Sequence, residues 1–355
     1  MYKVTENIYY LKPYHSFMCD ILKAMRRSFR ANSDYTISEL EANIYLINPN
    51  ARSFIKRGSL LENIYKLKDC PVDLCKEYGW NVSRYKSLLN GKWRGNTKLT
   101  EESNEDFKKI FIFFYESLLG YKTFNNTLFQ SPSSLSKFRA MMSLNQVCPY
   151  CDITKINKDI VSVDHFLPKA VYPVLSIYPD NLIVACKACN EVIKGENIIL
   201  PIAHPYYEDV SSHIKFMVDD SDTDKYEINT IIDPNTSKLM NTKISNFLDL
   251  FNIKNRYELN MIAELHDYRS EIRKKAIAEL SGIAQARAVS RGDIETSVKK
   301  YFHDSIINNL NLKRAVDGSK LKNDYVRQIL ENEDYQSDVE YIEAQFNGAK
   351  QTFNK

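Results

Sequence analysis

Two short cysteine pairs constrain this chain more than any other feature of its sequence. Cys148 and Cys151 stand in "CPYC", Cys186 and Cys189 stand in "CKAC", and 34 residues separate the pairs. Each pair offers two thiolates from one tight turn, and together they complete the four-sulfur shell that Zn²⁺ adopts in closed structural sites. The spacing therefore predicts one structural zinc site that closes a loop of the chain.

Three alternatives to zinc binding apply to the four cysteines. Two disulfides would need an oxidising compartment, and four buried thiols would act as small apolar side chains. A thioredoxin-like redox site needs one such pair and would leave the second without a role. Seven cysteines in 355 residues are few for a secreted disulfide scaffold, so metal binding is the favoured interpretation. Cys19, Cys70 and Cys75 lack this spacing, and we expect them to be ordinary core residues.

The remaining composition is typical of a folded protein outside membranes. Charged residues make up 26% of the chain and hydrophobic residues 44%, and no apolar run approaches the roughly 18 to 20 residues that span a bilayer. The first residues, "MYKVTENIYYLK", lack the basic, apolar and small-residue order of a signal peptide. We expect a cytoplasmic protein with no membrane partner.

The pattern of apolar residues divides the chain into three stretches and predicts the α+β class. Residues 1–137 carry apolar residues at helical spacing, as in Phe107–Tyr121, and residues 216–355 are rich in helix formers. We expect mostly helical N- and C-terminal lobes around a small module at 138–215. Ser131–Lys137 has the Pro and Ser content of a connector.

Positive charge is concentrated in the N-terminal lobe. The first 100 residues hold 17 Lys and Arg against 9 Asp and Glu, whereas residues 145–200 hold 5 Lys and 6 acidic residues. A protein that acts on DNA would then draw much of its phosphate affinity from outside the middle module. Pro71–Gly95 also resembles a helix-turn-helix, with Arg84 and Lys86 on a second helix that would enter a major groove. Two ordinary helices of a helical lobe are the alternative.

The stretch between the cysteine pairs predicts a compact unit. "DIVSVDHF" is typical of a strand that ends at Asp164 and His165, and "NLIVAC" of a second strand that runs into the second cysteine pair. "CNEVIKG" begins a helix that Gly195 ends. Three prolines keep the connecting loop irregular. This order would bring Asp164, His165 and Asn190 together.

The order DH, NL, CxxCN and KG resembles the HNH endonucleases, whose ββα-metal fold often carries a pair of zinc knuckles. The resemblance covers about Cys148 to Gly195. It implies that His165 is the general base and that Asp164 and Asn190 bind the catalytic divalent ion. It also implies that Asn181 holds the loop between the strands.

The chemistry of phosphodiester hydrolysis agrees with those roles. A histidine with an ordinary pKa near 6.5 suits the removal of a proton from water. Mg²⁺ or Mn²⁺ suits the neutralisation of developing charge, because such ions take oxygen ligands and few protein groups. In one departure from many members of the family, Lys194 stands four residues beyond Asn190 where a histidine is common. A protonated lysine cannot ligate a metal.

We therefore expect a metal-dependent HNH endonuclease that hydrolyses phosphodiester bonds of double-stranded DNA. Its helical flanks resemble nuclease subunits of bacterial anti-phage systems, so an ATPase or another defence-system protein is the expected partner. Two alternatives stay open: a restriction or homing-type HNH endonuclease with sequence specificity, and a zinc-stabilised module that binds nucleic acid without cutting it. His204 and Tyr206 follow the module, and we expect them to have a packing role.

Overall fold

The computed structural model describes residues 1–5, 8–56, 59–69, 74–93, 111–112, 114–116, 119, 122–129, 134–144, 146–222, 225–311 and 315–353. Much of the helix predicted at Phe107–Tyr121, part of the connector at Ser131–Lys137, and Cys70 lie outside the described residues, although 111–112 and 114–116 are helical. Within the described ranges helices dominate, and the strands form small antiparallel pairs. The prediction of the α+β class is confirmed.

The N-terminal part of the chain is built from helices. They are α1 (Lys12–Ala31), α2 (Ile37–Ile47), α3 (Leu60–Tyr65), α4 (Leu74–Ser83), α5 (Tyr85–Leu89), α6 (Lys122–Phe129) and α7 (Ser134–Ser143). The buried residues of α1 recur mostly at intervals of three or four from Tyr14 to Ser28, and so form one face. α2 begins at a capping box, in which Thr36 Oγ1 accepts a hydrogen bond from Glu39 N at 3.2 Å.

The middle part contains two short antiparallel strand pairs. They are β1 (Gln146–Val147) with β2 (Lys155–Ile156), and β3 (Val161–His165) with β4 (Leu182–Cys186). Asp164 lies opposite Ile183 and His165 opposite Leu182. β4 leads into a π-helical turn, Ala188–Lys194, which ends at Gly195 with a φ of 51°; glycine adopts a positive φ without a Cβ clash. The predicted order of strand, loop, strand and helical turn is therefore present.

The C-terminal part joins a β-hairpin to long helices. Its elements are β5 (Ile214–Asp222), β6 (Lys225–Ile232), α8 (Lys238–Leu250), α9 (Ile253–Ala284), α10 (Arg291–Asn311), α11 (Ser319–Glu331) and α12 (Gln336–Phe353). β5 pairs with β6 on one edge, and α11 covers the other. Phe216 N donates to Asp324 at 2.8 Å, and the Gln328 amide bonds both Val218 N and Val218 O, at 2.8 and 2.6 Å. These side chains satisfy backbone groups that an open edge would expose.

Among the described residues, buried apolar side chains form two groups. One holds α1 to α4 and α6 together, and in it the rings of Phe17, Phe54 and Phe124 lie 5.0 to 5.3 Å apart. Val174 and Ile177, from the loop between β3 and β4, belong to this group. The other group runs through the middle and C-terminal parts. The β3–β4 loop thus connects the N-terminal helices to the rest of the core.

The boundaries at 137/138 and 215/216 stay predictions. In the part of the chain that the structure describes, no helix has both the length and the apolar character that crossing a membrane requires.

Candidate functional site

The four cysteines of the two pairs meet in one buried cluster. Their Sγ atoms lie within 4.8 Å of one another. The first pair sits in a tight turn, in which Cys148 N donates to Thr154 O and Asp152 N donates to Cys148 O, both at 2.9 Å. The second pair follows β4 directly, and Cys186 N donates to Cys148 Sγ at 3.4 Å. Two pairs that are distant in sequence are therefore adjacent in the fold.

This cluster could hold a zinc ion. All four cysteines are free thiols, so the disulfide alternative is not formed. Zn–S bonds of about 2.3 Å place tetrahedral sulfur atoms about 3.8 Å apart, and the spacing of the cluster accommodates that arrangement. Arg256 of α9 donates from Nη1 to Cys189 Sγ at 2.9 Å. Such a contact offsets the negative charge that four thiolates bring to a zinc ion.

Asp164 is buried at the end of β3, and both of its carboxylate oxygens have partners. Tyr150 Oη donates to Oδ2 at 2.6 Å. Lys194 Nζ donates to Oδ1 at 2.9 Å and to the backbone oxygen of His165 at 2.9 Å. Burial raises the pKa of Asp164, and the opposing effects of the Lys194 charge and the Tyr150 hydrogen bond are smaller. Side-chain exposures of 1% for Lys194 and 3% for Asp164 make this a buried ion pair.

His165 is held by a backbone carbonyl and by an aromatic ring. Its Nε2 lies 3.2 Å from Ser176 O. Because a carbonyl only accepts, Nε2 carries the proton and Nδ1 carries the lone pair. The ring centroid of Tyr115 lies 4.3 Å from that of His165, at 70°. Burial, together with the charge of Lys169, lowers the pKa of His165 to about 3, so the imidazole is neutral at neutral pH.

Tyr115 and its neighbour Glu116 close the site from the N-terminal side. Glu116 forms an ion pair with Lys169, and Lys169 Nζ lies 6.0 Å from the Tyr115 ring. His165 is only 8% exposed beneath this contact. This contact therefore shields His165 from solvent on the N-terminal side.

Asn181 is fully buried and uses its amide to hold the loop that follows His165. Its Nδ2 donates to Leu167 O at 3.0 Å and to Leu175 O at 3.1 Å. Its Oδ1 accepts from Leu167 N at 2.8 Å and from Tyr85 Oη at 2.9 Å. These bonds tie Asn181 to the loop, and the role of Asn181 in a catalytic site stays a prediction.

Asn190 lies on the same face of β3 as Asp164 but is bonded elsewhere. Its Nδ2 donates to Ser162 Oγ at 2.8 Å. Ser162 and Asp164 share a face of the strand because side chains alternate. The π-helical turn therefore places the side chain of Asn190 beside Ser162 and the side chain of Lys194 beside Asp164. The metal-ligand role of Asn190 stays a prediction.

Three side chains at the site are not predicted by the sequence patterns. Tyr150 lies between Cys148 and Cys151. A metal shared by the two cysteine pairs would bring this turn close to β3, and this is the signal that could have predicted the position of Tyr150. The motif describes Lys194 only as a residue that cannot bind metal. A lysine that stands among apolar residues is itself an indication of a buried carboxylate partner. Tyr85 comes from α5, and no local feature of the sequence connects it to Asn181.

The residues that were expected to have only a packing role lie among buried side chains. His204 is fully buried, its Nδ1 accepts from Tyr206 N at 3.2 Å, and its Nε2 lies 3.2 Å from Tyr85 Oη. Burial lowers the pKa of His204 to about 3. Cys19 and Cys75 pack against the N-terminal group of apolar side chains, away from the zinc cluster.

The segment that resembles a helix-turn-helix in sequence has a different geometry. α4 and α5 are joined at Arg84 alone, and α5 spans five residues. Tyr85, Leu88 and Leu89 of α5 are buried. A helix this short, with its apolar side in the core, does not form a recognition helix for a major groove.

Comparison with known proteins finds short similarities. No protein-family model matches the chain, and no solved structure matches it. Protein ea31 of Escherichia phage lambda is 36% identical over 72 residues, which cover 19% of this chain and 23% of that protein. The Septu protein PtuB of Bacillus thuringiensis is 38% identical over 74 residues, which cover 20% of this chain and 28% of that protein. The chain spans about a quarter of the length of these curated relatives.

Proposed function

We propose that this chain is a metal-dependent HNH endonuclease that hydrolyses phosphodiester bonds of double-stranded DNA. The observation that carries the proposal is the geometry at the end of β3. There His165, with a free Nδ1, follows a buried carboxylate at Asp164, and Asn181 fixes the loop beyond them. A buried four-cysteine cluster staples the same unit. A base and an acidic ligand side by side are what phosphodiester hydrolysis requires.

His165 is suited to act as the base through Nδ1. The Nε2 proton is directed to Ser176 O at 3.2 Å, which fixes the tautomer and the orientation of the ring. Burial keeps the imidazole neutral in this closed form, with its pKa lowered to about 3. When Tyr115 moves away and water enters, that desolvation is relieved. The pKa then rises toward the ordinary value near 6.5, where histidine is an effective base at neutral pH.

The donor chemistry near Asp164 fits a hard divalent ion. Asp164 and Asn190 offer a carboxylate and an amide oxygen, which Mg²⁺ or Mn²⁺ accepts alongside water. A bound ion would neutralise charge that develops on the phosphate and the leaving oxygen. Lys194 Nζ holds Asp164 Oδ1 at 2.9 Å, so Asp164 is available as a ligand when the Lys194 ammonium withdraws. The cysteine cluster would hold zinc with its shell filled, which suits a structural role.

A role in anti-phage defence, together with an ATPase or another partner protein, is part of the proposal. It is supported by the resemblance of the flanked HNH arrangement to nuclease subunits of such systems and by the similarity to the Septu protein PtuB. The closed site, with His165 8% exposed, suits an enzyme that a partner must open. A restriction or homing-type enzyme would share the site and differ in cutting at a recurrent sequence, which a cut-site map distinguishes.

A second candidate is a zinc-stabilised module that binds nucleic acid without cutting it. The burial of Asp164 and His165, at 3% and 8% exposure, is the observation that favours it. Cleavage by the pure chain separates the two candidates.

Plasmid cleavage with Mg²⁺ or Mn²⁺, with and without the partner protein, tests the proposal. His165→Ala should keep its fold and zinc and lose about 10² to 10⁴ in rate, which is the usual contribution of a general base. The matched control is His303→Ala, because His303 is exposed on α10 and far from the site in sequence. If His165→Ala cuts as fast as His303→Ala in preparations free of contaminating nuclease, His165 is not the base. Absence of metal-dependent cutting under every condition would favour the binding module.

A further inference from the structure

One surface of the N-terminal part puts cations and indole rings side by side. We call it the cation–aromatic surface, and its members are Lys76, Trp80, Arg84 and Trp93. Lys76 Nζ lies 4.4 Å from the centroid of the Trp80 ring. The Arg84 guanidinium carbon lies 5.9 Å from the Trp80 ring and 5.5 Å from the Trp93 ring, so it sits between the two indoles. Trp80 is 39% exposed.

The contacts on this surface combine indole rings with positive charge. Three cation–π contacts fall between Lys76 and Trp93, and a cation over an indole face is attracted by the ring quadrupole. Lys76, Arg84, Lys86 and Lys92 are all exposed. The acidic residue within α4 and α5, Glu77, is 2% exposed and accepts from Asn81 Nδ2 at 2.9 Å. The exposed face is therefore positive and aromatic.

The reverse side of this surface is attached to the candidate site. Tyr85, between Arg84 and Lys86, points inward and donates to Asn181 Oδ1 at 2.9 Å. Ile202 N donates to Leu89 O at 2.9 Å, which fixes the end of α5 to the segment beyond the second cysteine pair. A ligand bound on the surface would therefore be held in a defined position relative to the loop that follows His165.

We propose that the cation–aromatic surface binds single-stranded DNA, with bases stacked on Trp80 and Trp93 and phosphates on Arg84 and the neighbouring lysines. The proposal deepens the proposed nuclease function and rests on it for the choice of DNA. It places an unpaired strand that adjoins the double-stranded substrate next to the site. An alternation of aromatic rings and cations is the arrangement with which proteins bind single strands independently of sequence.

The indole rings decide between single and double strands. In a duplex the faces of the bases are covered by their neighbours, so an indole can stack on a base that is unpaired. The Lys76 ammonium now lies over Trp80 at 4.4 Å, and it sits on a flexible, exposed side chain. A phosphate attracts that ammonium away from the ring, and the ring face becomes available to a base.

The test uses the two tryptophans as reporters, because Trp80 and Trp93 are the only tryptophans in the chain. The full-length His165→Ala protein is titrated with a 20-nucleotide oligo(dT) and with a duplex of the same length, without added divalent ions. Fluorescence anisotropy of the labelled DNA gives the affinity, and intrinsic tryptophan emission reports stacking. We expect oligo(dT) to bind more tightly than the duplex and to quench the emission.

Three variants in the same background separate stacking from charge. Trp80→Ala should weaken oligo(dT) binding about tenfold, whereas Trp80→Phe should keep most of it, because one stacked base is worth roughly that factor. Arg84→Gln should reduce the slope of log affinity against log salt by about 0.7, because one phosphate contact is lost. Lys238→Gln, at an exposed lysine at the start of α8, is the control and should change neither quantity.

The proposal is overturned if oligo(dT) binds without changing tryptophan emission, or if Trp80→Ala binds like Lys238→Gln. Equal affinity and equal quenching for the duplex would also overturn it, because the surface would not distinguish unpaired bases. Failure of the nuclease proposal is a separate result: the wild-type chain would cut no DNA, whatever these titrations show.

Discussion

Replacement of Lys194 by methionine measures what the buried ion pair at the candidate site contributes to folding. Methionine keeps the length and apolar character of the lysine side chain and removes the ammonium, which lies 2.9 Å from Asp164 Oδ1. The carboxylate of Asp164, 3% exposed, keeps its hydrogen bond from Tyr150. Loss of one partner from a buried pair leaves a charge without compensation and costs roughly 3 to 5 kcal/mol.

The corresponding shift in melting temperature follows from the size of the chain. At about 2.1 cal/mol/K per residue, the unfolding entropy of 355 residues is about 0.75 kcal/mol/K. A loss of about 4 kcal/mol therefore lowers the melting temperature of a cooperative transition by about 5 °C. Urea unfolding of Lys194→Met and wild type at neutral pH gives the free energy directly.

A double-mutant cycle shows whether the loss belongs to the pair. Asp164→Asn should also be destabilised, because it leaves the Lys194 ammonium buried, while Asp164→Asn with Lys194→Met removes both charges and should recover more than half of the loss. Burial already raises the pKa of Asp164. In Lys194→Met this carboxyl takes up a proton more readily as the pH falls, so the deficit relative to wild type should shrink. A Lys194→Met protein within about 1 kcal/mol of wild type, or a double variant whose loss equals the sum of the single losses, would refute this account.

Two further predictions concern the metal cluster and acid stability. The purified chain should carry about one zinc per molecule, and Cys189→Ser should lose the zinc and unfold the middle part, because structural zinc supplies folding free energy. The control is Cys19→Ser, which lies outside the cluster. Zinc-free protein of unchanged stability would contradict the prediction. His165 and His204 have pKa values lowered to about 3 by burial, so the stability they confer is complete above about pH 6.5 and is lost as the pH falls toward 3. At pH 4.5, two pH units below the ordinary pKa, each should have cost roughly 3 kcal/mol. The variant His204→Asn should therefore lose about half as much of this histidine-dependent stability between pH 7 and pH 4.5, as measured by urea unfolding at both pH values. An unchanged pH dependence of stability would contradict this prediction.

The parts of the fold that local patterns determine could be predicted from the sequence. The two cysteine pairs predicted that their four thiolates lie together in the fold, because two such pairs are typical of one shared zinc site. The alternation that ends at Asp164 and His165 indicated β3, and the strand is present with both residues at its end. In each case the signal was a short pattern of residue types, namely two CxxC pairs and one alternating stretch.

What escaped prediction depends on contacts between distant parts of the chain. Tyr85 reaches Asn181 across 96 positions, and no periodicity encodes that contact. The helix-turn-helix interpretation failed because apolar spacing could not show that α5 is one short turn buried against the core. The motif describes Lys194 only as a residue that does not ligate a metal, whereas burial makes it the partner of Asp164.

The four-cysteine cluster and the candidate catalytic carboxylate are separated by a single side chain. Tyr150 lies between Cys148 and Cys151, and its hydroxyl bonds Asp164 at 2.6 Å, so a shift of the cluster moves a hydrogen bond of the carboxylate. Arg256 of α9 bonds the opposite side of the cluster, at Cys189. A metal ion that takes no part in bond breaking would therefore still set the position of Asp164. Through Arg256, the C-terminal helices would be coupled to the same carboxylate, because side chains that hydrogen-bond a metal ligand fix the orientation of that ligand.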